Sequence, residues 1–212
     1  VRISFSVGTL ALDSSYLPRT DLRLVAIDSD KHNVVNVSDT VVTVGGEATE
    51  YKLIKKNAGS ATAGLYLAPA VIKNGSTLTP YESVSAAVSA IGVNTEYDYL
   101  IVNENATIER DLYPFRVKKG LDTVELTVNT SFADKGVSSV TEDGVIVYSL
   151  SNKPSVYTWN GGTTGTAVYW AMSANWLCNG SSSVTRSPGV EDSVMFNSAA
   201  TVKIGKDTSV AA

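Results

Sequence analysis

Three groups of residues in this chain have types and spacings that could do chemistry. Asp28-Ser29-Asp30-Lys31-His32-Asn33 sets oxygen ligands at alternate positions, as the start of a calcium loop does. The segment lacks the Gly at the sixth position and the Glu at the twelfth, and a turn between strands uses Asp and Asn equally well. Glu104, Glu109, Arg110 and Asp111 gather carboxylates at one predicted corner, and a carboxylate pair at the right separation hydrolyses sugar linkages. Charged side chains at such corners are ordinarily just solvated. Trp159, Tyr169, Trp170 and Trp176 could form an aromatic platform for a glycan, or pack as a core burying about 150–250 Å² each.

Most other chemistries have no residues to support them. The single His, His32, lies near no Ser or Cys nucleophile motif, so the commonest general base has nothing to activate. Cys178 is the one cysteine; it cannot close an internal disulfide and reads as a small buried hydrophobe or a bare thiol. No Cys/His cluster suits zinc, and no nucleophile elbow, phosphate loop or dinucleotide fingerprint occurs. Neither a metal nor a cofactor is expected, and no catalytic residue is assigned. With 17 Lys+Arg against 21 Asp+Glu, the net charge of −4 has no footprint for nucleic acid. No apolar run approaches the roughly 20 residues of a membrane helix. Five N-x-S/T sequons, at Asn36, Asn74, Asn105, Asn129 and Asn179, follow from the abundance of Asn, Ser and Thr.

The elements that must position these groups are strands. The 28 Val, 25 Ser and 21 Thr among 212 residues fit a pleated surface better than a helix, so the chain is expected to be mostly β. Arg2–Gly8, Leu22–Asp28, Val34–Val37, Thr40–Val44, Glu50–Lys56 and Leu65–Ile72 read as short strands between turn residues. That spacing predicts an antiparallel β-sandwich over 1–77, immunoglobulin-like but without the Cys–Trp–Cys core of antibody domains. Thr79-Pro80-Tyr81-Glu82 reads as a helix start, with Thr79 as N-cap and Pro80 at the first helical position. Val84, Ala87, Val88 and Ile91 then recur at helical spacing, and Gly92 stands where a helix ends. Beyond it, Tyr99–Val102, Thr107–Glu109, Phe115–Val117, Val124–Val128 and Val145–Leu150 are brief strands expected to meet at corners rather than at two-residue hairpins. A helix-capped parallel β-solenoid over 78–152 accounts for that run, with a second antiparallel sandwich as the competing architecture.

Two stretches resemble known architectures. The helix followed by Thr107-Ile108, Leu112, Val117 and Gly120 resembles the opening coils of right-handed parallel β-helix proteins, with two extra residues around Tyr113-Pro114. Residues 157–204 resemble the Trp-rich repeat of bacterial autotransporter-type passenger domains. The match runs through Trp159, Gly161-Gly162, Trp170, Asn175-Trp176, Pro188-Gly189, Asp192, Val194 and Phe196, then Val202 and Ile204. It implies that 153–212 continue the solenoid as a Trp-rich unit and that the tryptophans pack within it. Cys178 and the absence of a translocator barrel after the repeat depart from that family.

These readings converge on an extracellular or cell-surface bacterial protein. Val1 opens the chain without Met or a leader, as a mature product or an excised fragment would. The expected work is mechanical: a non-enzymatic stalk, filament or coat component, packed through residues such as Val102, Ile108, Val117, Val128 and Ile146. It would self-associate through solenoid ends or edge strands. A glycan-binding adhesin module using the Trp-rich segment is the second expectation. A polysaccharide lyase or glycosidase on the Glu104–Asp111 corner is the third.

Overall fold

The computed structural model describes residues 5–6, 8–15, 19–28, 35–161, 169–200 and 202–204. Among them are nineteen strands and one α-helix, so the protein is mostly β, in several sheets with no closed barrel. Two compact units share the chain discontinuously. The first holds Val1–Ile108, Phe115–Thr127 and Val140–Val147; the second holds Glu109–Pro114, Val128–Ser139 and Tyr148–Ala212.

The first unit begins with β1 (Phe5–Ser6), β2 (Thr9–Leu12), β3 (Val25–Ala26), β4 (Val35–Asn36), β5 (Val41–Val44), β6 (Glu47–Ala48), β7 (Leu53–Lys56) and β8 (Gly64–Leu67). They form sheets of order β2-β5-β6 and β3-β8-β7, with β1 on β4. Alternation in these strands turns Leu10, Leu12, Val42, Leu53, Leu65 and Leu67 into one apolar cluster. Antiparallel pairing holds for β3-β8-β7 and for β5–β6, but β2 runs parallel to β5, and β1 to β4. The expected strand Leu65–Ile72 is two. Pro69 interrupts it, and β9 (Ala70–Asn74) joins a different sheet from β8.

The expected helix start is also displaced. Thr79 and Pro80 lie in β10 (Thr77–Tyr81), with Pro80 opposite Val71 of β9. The helix α1 spans Val84–Ala90 and is capped by Ser83, whose Oγ accepts from the Ala86 N–H at 3.1 Å. A proline suits an outer strand as well as a first helical turn, because its missing donor is not needed in either place. Val84, Ala87 and Ile91 are buried, as their spacing predicts. Thr95 finishes the helix, donating Oγ1–H to the Ala90 carbonyl and accepting from the Gly92 N–H.

Next come β11 (Tyr99–Val102), β12 (Ala106–Glu109), β13 (Phe115–Lys119) and β14 (Leu126–Asn129). Strand β11 pairs in parallel with β13 while β12 pairs with β14, so successive strands alternate between two sheets. Leu100, Ile101, Val102, Ile108, Phe115, Val117 and Val128 are buried along these strands. Gly120 closes against Asn103: a Cβ there would come within 1.8 Å of Asn103 Oδ1 and force that buried side chain to move.

The run then changes character. Strand β15 (Lys135–Glu142) returns as β16 (Val145–Asn152) across Asp143-Gly144, with φ of 49° and 77°. Two successive positive φ values make a type I′ turn, which Asp-Gly favours. Ser138 Oγ donates to the Ser149 carbonyl and Ser151 Oγ to the Gly136 carbonyl across the pair. This two-residue hairpin stands where a corner is expected. The largest sheet has the order β10-β9-β11-β13-β16-β15.

The second unit closes on β17 (Val156–Trp159), β18 (Trp176–Cys178) and β19 (Ser193–Met195), in the order β18-β17-β19. Strand β17 is antiparallel to β18 and parallel to β19. Tyr157, Trp170, Trp176 and Cys178 form its buried core, with Trp159 and Val194 packed against it.

Candidate functional site

Each residue singled out for chemistry has a definite place. Asp28 is exposed after β3, while Asp30, His32 and Asn33 lie outside the described residues. Among the described residues, no group of three or more His, Cys, Asp or Glu side chains could hold a metal ion. Glu104 accepts from Thr20 Oγ1 at 2.7 Å in the first unit. Arg110 is buried in the second, its Nε–H donating to the Leu112 carbonyl at 3.2 Å. Glu109 is exposed at the end of β12. Asp111 receives Thr130 Oγ1 at 2.6 Å, the Ser131 N–H at 2.9 Å and Ser131 Oγ at 2.5 Å. Partial burial raises its pKa, but the Ser131 and Thr130 bonds outweigh that and hold it below the ordinary value. Asp111 therefore works as the staple of a turn.

The aromatic residues are mostly interior. Trp176 is 1% exposed, with Trp170 at 4.7 Å and Trp159 at 4.9 Å between ring centroids, both edge-on. The Trp176 indole N–H donates to the Trp170 carbonyl at 2.8 Å, and that of Trp170 to the Pro188 carbonyl at 3.1 Å. Both indole donors are thus satisfied by backbone within the second unit. Tyr169 is exposed, with the Lys203 ammonium 5.7 Å from its ring centre.

Two polar clusters carry the strongest electrostatics, and neither stands out in the sequence. In the first unit, Glu50 accepts from Lys73 Nζ and Tyr99 OH on one oxygen and from Lys118 Nζ on the other, all at 2.6 Å. The two ammonium groups lie 5.3 and 5.4 Å from the Tyr99 ring centre. Burial alone would raise the Glu50 pKa, but the Lys118, Lys73 and Tyr99 bonds bring it down to about 2. Lys73 is correspondingly pushed up by Glu50. Beside it opens a cleft of about 280 Å³ lined by Thr49, Glu50, Tyr51, Ile101, Lys118 and Gly120. A carboxylate held this acidic is a poor base at neutral pH, so the cluster acts as a clamp between strands. Its members lie 23, 49 and 68 residues from Glu50, a separation without local signature.

In the second unit, Asp192 forms a two-pronged ion pair with the Arg186 guanidinium and accepts from the N–H groups of Ser155 and Gly189. Burial raises its pKa, and Arg186 with those backbone donors more than offsets this. Asp134, fully buried, takes Tyr157 OH, Thr185 Oγ1 and the N–H groups of Thr185 and Arg186 on one oxygen. Burial first, and then the Asp134 charge, push Tyr157 well above the ordinary phenol range.

The remaining feature is the sheet edge. Strand β15 is last in its sheet, and among the described residues no strand pairs with its outer side. From Gly136 to Thr141 it carries no charge and no proline, and Val140 is 63% exposed. At the opposite end of the same sheet, β10 is shorter and contains Pro80.

Comparisons with protein-family models, with curated proteins and with solved structures find no match to the chain.

Proposed function

We propose that this protein is a non-enzymatic structural component of a cell exterior, part of a stalk, filament or surface coat, that associates through the β15 edge. The open edge carries this reading. Unpaired N–H and C=O groups along a strand are a template for another chain, and proteins ordinarily guard them with prolines, inward charges or bulges. Pro80 is such a guard on β10; β15 has eight residues and none between its ends.

Two further features support the reading. A chain rich in Val, Ser and Thr, with one cysteine, matches secreted bacterial surface proteins in composition. The parallel pairing of β11 with β13, and the placing of β12 and β14 in another sheet, are what the opening coils of a helix-capped solenoid would require, and the Trp-rich segment resembles passenger-type repeats.

Sedimentation velocity over a concentration series tests the proposal. Wild-type protein should associate as concentration rises, and Ser139→Lys, which puts a charge in the middle of the edge, should remain monomeric. A wild-type chain that stays monomeric throughout, or a Ser139→Lys variant that associates equally well, would overturn it.

A further inference from the structure

Resting on that reading, we infer that the occupant of the β15 edge is a second copy of this chain, antiparallel to the first about a two-fold axis at Ser139. The hairpin geometry identifies the groups available. A two-residue turn makes Glu142 and Val145 a hydrogen-bonded pair, so the even-numbered residues of β15 bond inward to β16. The N–H and C=O groups of Val137, Ser139 and Thr141 then face outward.

Charge selects the direction. Strand β15 has Lys135 at its start, Glu142 at its end and Asp143 just beyond, with six uncharged residues between Lys135 and Glu142. A parallel partner would set Lys135 against Lys135 and Glu142 against Glu142. An antiparallel copy centred on Ser139 sets Lys135 across from Asp143 of the other chain, with Glu142 alongside, twice by symmetry.

The same register uses every outward backbone group. Ser139 meets Ser139 and Val137 meets Thr141, which gives about six interchain hydrogen bonds. It also lays the exposed Val140 over Ser138 of the second copy, covering a β-branched side chain that nothing shields in the monomer. Because the interface is isologous, this joint by itself links two copies, and a larger assembly would add a second contact elsewhere on the pair.

Single cysteines read the register directly, since Cys178 is buried. Under mild oxidation Ser139→Cys should form a dimer-linking disulfide, because facing residues of a hydrogen-bonded pair lie about 5.5 Å apart between Cα atoms. Val137→Cys alone should not, as its twin would lie about 13 Å along the strand, but an equal mixture of Val137→Cys and Thr141→Cys chains should. Lys135→Glu should raise the dimer Kd roughly 5- to 10-fold, from two rim ion pairs turned repulsive, and Lys135→Glu with both Glu142→Lys and Asp143→Lys should restore it. If wild-type protein associates and the Ser139→Lys block holds, yet Ser139→Cys does not cross-link, the two-fold register is wrong while the edge reading stands. If wild-type protein never associates, both fall.

Discussion

At Glu50 two lysines and a tyrosine converge on one carboxylate, and removing its charge would leave two ammonium groups near each other beside the Tyr99 ring. Glu50→Gln should therefore destabilise the first unit by about 2 kcal/mol, from the broken pairs and the exposed repulsion between the lysines. The sign with pH follows from the lowered pKa. A folded value of about 2 against an ordinary 4.5 gives stabilisation that is complete above about 4.5 and lost as pH falls toward about 2. Acid titration of stability should show a drop in that window for wild-type protein, and the drop should be smaller in Glu50→Gln. An unchanged profile would mean that the clamp contributes nothing. Asp111, by contrast, drew attention in the sequence only through the charged residues beside it. Its actual partners, Thr130 and Ser131, lie about twenty residues away and have no local signal.

At the element scale the helix is the instructive case. Val84, Ala87 and Ile91 gave its buried face correctly, because a 3.6-residue period survives any tertiary context. The helix starts later than Thr79-Pro80 predicts, because the β9–β10 pairing claims those two residues and Ser83 supplies the cap. Ser83→Ala should lower stability by about 1 kcal/mol, as loss of an N-cap does, whereas Thr79→Ala should leave the helical signal of α1 intact. Chemical denaturation of the two variants separates these outcomes; equal losses would argue for a cap at Thr79. The Asp143-Gly144 hairpin departs from the expected run of coils, because strands of three to five residues leave no room for two arms of eight.

For the whole molecule, the two units offer different probes. All three tryptophans, Trp159, Trp170 and Trp176, belong to the second unit, so indole fluorescence reports that unit alone. The Asp192 side chain is 1% exposed and holds Arg186 with two backbone donors besides. Asp192→Asn leaves the guanidinium without its counter-charge, and the fluorescence-detected transition should weaken by about 3–5 kcal/mol. A transition unmoved by Asp192→Asn would remove the ion pair from the stability of that core.

Much was settled by local physics. Strand-rich composition, the apolar run of β11, the alternation of β13 and the helix face all depend on residues within a few positions of one another. The pairing partners depend on contacts that no window spans: β2 running parallel to β5, Pro69 dividing β8 from β9, and β15 left at the outside of its sheet. The same is true of the carboxylate clamps. Glu50 with Lys118, and Asp134 with Thr185, become neighbours only once the sheets are assembled, because an ion pair or buried hydrogen bond has a range of a few ångströms and leaves no periodic trace along the chain.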